Sequence, residues 1–131
     1  MIPIHSVIIN LPIKNHEVPD LRELVGWGRR DEDFPILLER CNFWAGLRDV
    51  NDNLIAFGYI CGTGLQHGYM EDIIVHPDFQ NQGVGVALVK KLLEEAERFG
   101  LEIVTVTYAA EHTDFYKKGG FIPCPGGLWR K

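Results

Sequence analysis

Residues 71–87, EDIIVHPDFQNQGVGVA, indicate a strand, a glycine-bearing loop and the start of a helix in immediate succession. Ile73, Ile74 and Val75 form a short apolar run, which the prolyl segment at 76–78 ends. Residues 80–85 then lead directly into a helical pattern. The first N–H groups of a helix lack intrahelical partners and lie at the positive end of its dipole. A loop in this position is therefore suited to bind a phosphate.

The spacing of the two glycines narrows the class of ligand. Gly83 and Gly85 fit the first two glycines of G-x-G-x-x-G, but Leu88 stands where the third is required. No Lys-Ser or Lys-Thr pair follows them, so the Walker-type phosphate loop also fails. The pattern that does fit is Q/R-x-x-G-x-G/A over residues 80–85. On these six residues alone, an ordinary strand-to-helix turn with two glycines stays open as an alternative.

Hydrophobic periodicity and turn residues predict the elements on both sides of this loop. The predicted strands are 6–11, 43–48, 54–62, 68–75 and 101–109, followed by two closing strands at 121–122 and 128–130. The predicted helices are 19–25, 33–41, 83–100 and 113–118.

The order of these elements predicts an α+β fold of three layers, with a single mixed, mostly antiparallel sheet flanked by helices. The three strands before the loop are expected to form an antiparallel meander. The strand after the long helix is expected to run parallel to the one before it. The length of the chain is consistent with one domain over residues 1–131.

A second segment, FYKKGGF at 115–121, resembles the F-Y-x-K-x-G-F segment near the C-terminus of many GNAT acetyltransferases. The loop at 80–85 is similar to the one that holds the CoA pyrophosphate in the same superfamily. The order of elements matches across essentially the whole chain. The resemblance implies a GNAT fold and transfer of an acetyl group from acetyl-CoA, as cosubstrate, to a primary amine of a small molecule or peptide.

The resemblance implies that Tyr116 stands near the CoA sulfur and acts as general acid. An alkylammonium has a pKa near ~10 and must lose a proton before it attacks a thioester. The departing thiolate must gain one, which a phenol can supply. The alternative for Tyr116 is a packing role on its short helix.

Glu71 is the expected general base, because it lies on the strand before the loop. Strand alternation places it on the face of Ile73 and Val75, with Asp72 on the opposite face. Members of the superfamily differ in where this carboxylate lies, and some use water alone. A solvated charge at the strand end is the alternative for Glu71.

For cofactor binding, the resemblance implies that the backbone of Ile73, Ile74 and Val75 pairs with the pantetheine arm. The residues expected at the pyrophosphate are Gln80, Asn81, Gln82, Gly83, Val84, Gly85 and Val86. The chain departs from the family pattern at two places. Gln80 replaces a frequent Arg, and Ala109-Ala110 stands where many members carry an Asn that contacts CoA.

No sequence motif identifies the residues that bind the acceptor amine. The candidates for contact with the amine substrate are Trp27, Arg29, Arg30, Phe34 and Trp129. Trp27 lies between two glycines, which indicates either a core plug under a mobile loop or a wall that faces the substrate. The sequence favours the plug.

Composition limits the other classes of function. The chain has 131 residues and a formal net charge of −5, and it lacks an apolar run long enough to span a membrane. No leader is recognisable at residues 1–5, so a cytoplasmic protein is expected. The acidic balance argues against a nucleic-acid partner. Three widely spaced cysteines indicate neither a disulfide framework nor a metal site.

Three alternatives stay open at this level. One is a CoA-binding regulatory module without turnover, favoured by Gln80 and by the missing Asn. Another is a toxin that acetylates aminoacyl-tRNA, which the acidic balance disfavours. The third concerns assembly, since the predicted C-terminal strands offer a surface for a homodimer.

Overall fold

The computed structural model describes residues 6–131, whose central feature is one five-stranded mixed sheet. The strands are β1 (Ile8–Ile9), β2 (Phe43–Arg48), β3 (Leu54–Cys61), β4 (His67–Val75) and β5 (Ile103–Val106). The helices are α1 (Glu17–Leu24), α2 (Phe34–Arg40), α3 (Val84–Phe99) and α4 (Thr113–Gly119). Residues 1–5 lie outside the described part. The expectation that these residues form no leader, and the start of the predicted domain 1–131, therefore fall outside it as well.

The strands lie in the sheet in the order in which they occur in the chain. The first three junctions are antiparallel and the junction of β4 with β5 is parallel, which confirms the predicted fold class. β5 pairs with β4 only from His67 to Met70. Beyond Met70, β4 continues to Val75 with no strand beside it on the β5 side. The sheet is therefore open along the second half of β4.

α3 covers one face of the sheet because its apolar side chains recur every four residues. Val84, Leu88, Leu92 and Ala96 are buried on one side of the helix. The helix ends at Gly100, whose φ of +99° is the left-handed conformation that glycine adopts without strain. A second core lies on the other face of the sheet, against α1 and α2. The arrangement has three layers, as the sequence predicts.

A bulge in β4 changes which side chains share a face. Tyr59 of β3 lies opposite Glu71, whereas Phe57 lies opposite Ile74, so β4 carries one more residue than β3 over this interval. The extra residue falls at Asp72, which has a φ of +53°. Because the bulge interrupts the alternation, Glu71 faces the α1 side of the sheet with Ile74.

The predicted grouping of Glu71 with Ile73 and Val75 is therefore wrong. Ile73 and Val75 pack with the α3 core. Asp72 pairs with Arg22 of α1 and so lies opposite Ile73 and Val75 as predicted, but on the same side of the sheet as Glu71, which the alternation did not predict. Period-two reasoning fails here because it assumes an unbroken ladder.

The two predicted closing strands are also wrong. Residues 120–131 form no strand or helix, and Ile122, Leu128 and Trp129 are exposed. Pro123 and Pro125, which follow the first of these two segments, have no N–H to donate to a ladder and so disfavour a strand there.

A largely buried ion pair joins α1 to β2. Arg48 donates from Nη1 to Oε2 of Glu17 at 2.7 Å and from Nη2 to Oε1 at 2.8 Å. The Glu17 side chain is only 13% exposed. The hydrogen bonds from Arg48 lower the pKa of Glu17 from its ordinary 4.5 to about 2.

This pair predicts an acid-sensitive component of stability. The folded-state pKa of Glu17 lies below the unfolded value, so the stabilisation is complete above about pH 4.5 and is lost as the pH falls toward about 2. Its full size is on the order of 3 kcal/mol. Urea unfolding at a series of pH values should show a shallower loss of stability in Glu17→Gln than in the unsubstituted protein. Glu39→Gln, at an exposed carboxylate of α2, is the control and should keep the full loss. An equally steep loss in Glu17→Gln would contradict the assignment.

Candidate functional site

A cavity of about 520 Å³ lies where β4 separates from β5. Three segments meet there: the residues after α1, the end of β4 with the loop into α3, and α4 with the turn before it. The lining residues are Val25, Trp27, Ile73, Ile74, Val75, Gln80, Asn81, Gly83, Gly85, Val86, His112, Phe115 and Tyr116. The volume is in the range of binding sites for small molecules and cofactors.

The loop from β4 into α3 is held by local hydrogen bonds. Nδ1 of His76 accepts a bond from the backbone N–H of Asp78 at 3.0 Å. The side-chain amide of Gln80 donates to the Val75 carbonyl at 3.1 Å. Gly83 is the N-cap residue of α3, with a φ of +82°. Its left-handed conformation turns the chain into the helix, and the first turn of α3 lines the cavity.

The two sequence motifs are in direct contact at Gly85. A Cβ added to Gly85 would lie 2.7 Å from Cε1 of Phe115 and 3.5 Å from Cγ2 of Val75. The sequence predicts a phosphate close to Gly85, whereas in the structure the neighbour of Gly85 is the Phe115 ring. Gly119 makes a similar contact further along, since its added Cβ would lie 2.6 Å from Cγ1 of Val89. Because Gly85 and Gly119 have no side chain, α4 can pack closely against α3.

Tyr116 lies in an aromatic cluster at the wall of the cavity. Its ring stacks on Tyr108 with centroids 4.7 Å apart, and Phe115 and Phe121 contact it edge-on. The residue is 8% exposed. Burial raises the pKa of Tyr116 to about 12, so its hydroxyl is protonated at neutral pH. A protonated phenol at this position can donate a proton.

Glu71 lies outside the cavity lining. Its Oε2 accepts a hydrogen bond from the Tyr59 hydroxyl at 2.7 Å, on the α1 side of the sheet. Burial, and then the bond to Glu71, raise the pKa of Tyr59, so this phenol keeps its proton. The role of Glu71 as general base stays a prediction.

Trp27 lines the cavity and is 41% exposed. The expectation of a core plug is therefore wrong, and the alternative of a wall agrees with the position of the ring. Phe34 shows the reverse error. It is 2% exposed and packs edge-on against Phe57, so it has no surface for an acceptor. The sequence does not distinguish a buried Phe34 from one that contacts a substrate, because a Phe in the first turn of a short helix fits both environments.

The remaining acceptor candidates do not line the cavity. Arg29 pairs with Asp20 at 2.8 Å and with Asp31 at 3.0 Å. Arg30 pairs with Asp33 at 2.6 Å. Trp129 lies exposed in the C-terminal segment.

Sequence reasoning missed several residues of the site. Val25, His112 and Phe115 line the cavity, although none of them is among the site residues predicted from the sequence. The position of His112 directly before α4 was the available signal. Among the described residues, the lining contains no Asp, Glu, Lys or Arg.

An open mixed sheet, with a glycine-capped helix following β4, is the architecture of the GNAT-type acetyltransferases. The family model described as "Acetyltransferase (GNAT) family" matches residues 10–121. The chain belongs to this family.

Known proteins agree with this assignment. The uncharacterised N-acetyltransferase ycf52 of Pyropia yezoensis is 28% identical over 123 residues, which are 91% of this chain and 71% of that protein. The L-amino acid N-acyltransferase MnaT of Escherichia coli is 26% identical over 103 residues, 76% of this chain and 56% of its own length.

Solved structures show the same fold. A probable acetyltransferase of unknown function from meticillin-resistant Staphylococcus aureus superposes with a TM-score of 0.81 at 24% identity, over 95% of this chain and 98% of that one. Glucosamine-6-phosphate N-acetyltransferase of Arabidopsis thaliana gives 0.77 at 18% identity, over 96% and 98%.

Across residues 6–131, no helix combines the length and the apolar character needed to cross a membrane. The same residues contain no cluster of three or more His, Cys, Asp or Glu side chains suited to a metal ion.

The contact between α4 and α3 predicts a stability effect at Gly119. An added methyl group must displace Val89, which is fully buried and stiff at χ1, so Gly119→Ala should lower the free energy of unfolding by about 1–3 kcal/mol. Urea unfolding measures the change. Val89→Ala in the same chain should recover part of the loss that Gly119→Ala causes. Gly126→Ala, where the added Cβ meets nothing within 4 Å, is the matched control. Equal effects of Gly119→Ala and Gly126→Ala would refute the contact.

Proposed function

We propose that this protein is an N-acetyltransferase that moves the acetyl group of acetyl-CoA directly to a primary amine of a small molecule or peptide. The observation that carries the proposal is the shared cavity: the unpaired end of β4, the Gly83 loop and Tyr116 all line it. Membership of the GNAT family supports the reaction class. Neither the cavity nor the family membership identifies the acceptor amine, which is therefore part of the proposal.

The cavity offers two features suited to acetyl-CoA. Backbone groups of β4 from Ile73 to Val75 face the opening without a neighbouring strand, so the amides of the pantetheine arm can pair with them as another strand would. Backbone N–H groups at the start of α3, from residues 81–86, would meet the pyrophosphate. Since the Gln80 side chain is bonded to Val75, the proposed grip on the phosphates depends mainly on backbone groups.

In the proposed reaction, the neutral amine nitrogen attacks the thioester carbonyl carbon. The tetrahedral intermediate gives the proton of its charged nitrogen to water, the C–S bond breaks, and the thiolate takes a proton from the Tyr116 hydroxyl. The pKa of about 12 keeps Tyr116 in the protonated form that this step requires. The Tyr116 phenolate then regains a proton from solvent.

The amine must also lose a proton, for which we propose Glu71 acting through water. A water is required because Glu71 is bonded to Tyr59 and does not line the cavity. Direct transfer without an acyl-enzyme is supported by the cysteines. None of the three lines the cavity, and burial raises the pKa of Cys41 to about 11, which suppresses its thiolate.

The acceptor class stays broad within the proposal. Trp27, Val25 and His112 are the lining residues left for the amine once β4, the loop and α4 are assigned to acetyl-CoA. We further propose a cytoplasmic protein with no nucleic-acid or membrane partner, in agreement with the net charge of −5 and with three free thiols. A homodimer remains an alternative for assembly.

One test uses two glycines with the same conformation at opposite ends of α3. Gly83 and Gly100 have φ values of +82° and +99°, so an alanine strains each by about 1–2 kcal/mol. Only Gly83→Ala alters the loop at the cavity. Titration calorimetry should show acetyl-CoA binding at least about tenfold weaker in Gly83→Ala and unchanged in Gly100→Ala. Equal affinities in the two variants would refute the loop assignment.

A second test addresses the proton donor. Tyr116→Phe should lower kcat about 10²–10³-fold, because the thiolate loses its acid. The affinity for acetyl-CoA should change less than about twofold. CoA release with phenethylamine, spermidine, phenylalanine amide and glucosamine, followed with a thiol reagent, gives the rates.

Tyr108→Phe is the matched control, since it removes a hydroxyl from the ring stacked on Tyr116. It should retain near-normal turnover. Full activity of Tyr116→Phe would overturn the general-acid role. Binding of acetyl-CoA without turnover on any amine would favour the regulatory module over the enzyme.

A further inference from the structure

One arginine at the end of α1 contacts the loop that follows this helix, the first turn of α2 and the distant strand β4. Arg22 donates from Nη1 to Oδ2 of Asp72 at 2.7 Å and from Nε to the Gly28 carbonyl at 2.7 Å. Its guanidinium carbon lies 5.3 Å from the centre of the Trp27 ring and 5.7 Å from that of Phe34. The side chain is only 15% exposed. Arg22 is therefore a structural centre rather than a surface charge.

The first partner of Arg22 is the bulge of β4. Asp72 is the residue with the left-handed backbone, and its side chain is 19% exposed. Burial raises the pKa of Asp72, and the charge of Arg22 opposes that rise, so the carboxylate depends on its partner. Ile73 and Ile74, the next residues of β4, line the cavity. The ion pair thus fixes the backbone at the point where β4 enters the site.

The second partner is the Trp27 loop. Gly26 has a φ of +84°, and added Cβ atoms at Gly26 and Gly28 would meet nothing within 4 Å, so the loop itself is loosely packed. The backbone N–H of Trp27 bonds to the Arg22 carbonyl at 2.9 Å, and the Arg22 side chain contacts the indole and the Gly28 carbonyl. Arg22 therefore contacts the Trp27 loop through both its backbone carbonyl and its side chain.

We propose that Arg22 is a positioning residue that holds the Trp27 loop against the β4 bulge and thereby shapes the acceptor end of the cavity. The inference rests on the proposed N-acetyltransferase function. The residues that line the cavity divide into two groups. Those of β4, the glycine loop and α4 are assigned to acetyl-CoA, whereas Trp27 and Val25 come from the segment after α1 and, with His112, are assigned to the acceptor amine. A residue that orients Trp27 without lining the cavity acts on acceptor binding through Trp27.

The chemistry requires arginine rather than lysine. A planar guanidinium can donate in two directions from Nε and Nη1 while its face lies on an aromatic ring. A lysine ammonium can satisfy Asp72 but cannot also reach the Gly28 carbonyl in the same geometry. Arg22→Lys therefore keeps the charge balance at the bulge and releases the loop.

The test compares Arg22→Lys with Arg48→Lys. Arg48 is the matched control because it also joins α1 to the sheet through a largely buried carboxylate but contacts neither β4 nor Trp27. In Arg22→Lys, the KM for the best amine of the four-member panel should rise about 5- to 20-fold, with the dissociation constant for acetyl-CoA changed less than about twofold. Arg48→Lys should leave both constants unchanged.

A second readout does not need activity. In protein labelled with 5-fluorotryptophan, the ¹⁹F resonance of Trp27 should shift in Arg22→Lys, while those of Trp44 and Trp129 stay in place. Tryptophan-to-phenylalanine variants assign the three resonances. If Arg22→Lys fails to fold, the double variant Arg22→Met with Asp72→Asn removes both charges and is measured in the same way.

The outcomes separate the two proposals. An unmoved Trp27 resonance, or a moved one with an unchanged acceptor KM, overturns the role of Arg22. A weaker affinity for acetyl-CoA in Arg22→Lys also overturns it, because the effect would then lie at the cosubstrate. Failure of the unsubstituted protein to bind acetyl-CoA would instead refute the proposed function itself.

Discussion

The site depends on one extra residue in β4. Without the bulge at Asp72, alternation would continue and Ile73 would exchange faces with Ile74. The core beneath α3 and the core beneath α1 would then each receive the wrong side chain. The left-handed backbone of Asp72 has an energetic cost, because its side chain is not glycine. The ion pair with Arg22 helps to offset that cost, and the same ion pair connects the bulge to the loop at the cavity.

Close packing of the second half of the chain serves the same site. α4 lies against α3 at Gly119, and Phe115 occupies the space that a side chain at Gly85 would fill. The ring of Tyr116 is then fixed between Tyr108 and two phenylalanines. Gly85 and Gly119, one glycine from each motif, therefore have a packing role that is independent of any phosphate.

The sequence predicted the parts of the fold that follow from local periodicity. α3, the three strands of the meander and the parallel crossover follow from repeats of four and two and from turn residues. The bulge escaped prediction because Asp72 adopts a positive φ without a glycine to signal it. The predicted environments of Trp27 and Phe34 are the reverse of the observed ones, because an aromatic residue near a helix end can either be buried or face a ligand. Arg22 gave no signal, since hydrophobic patterns do not weigh a charged residue whose partner is fifty positions away in the chain.

The outer edge of β5 has a consequence for the behaviour of the protein in solution. Within residues 6–131, β5 is the last strand of the sheet, and the side turned away from β4 has no neighbour. The backbone of these four residues can bond to another chain, and Ile103, the first of them, is half exposed. Edge strands of this kind promote self-association when protein is concentrated. High protein concentration is therefore the condition under which self-association through this edge is expected.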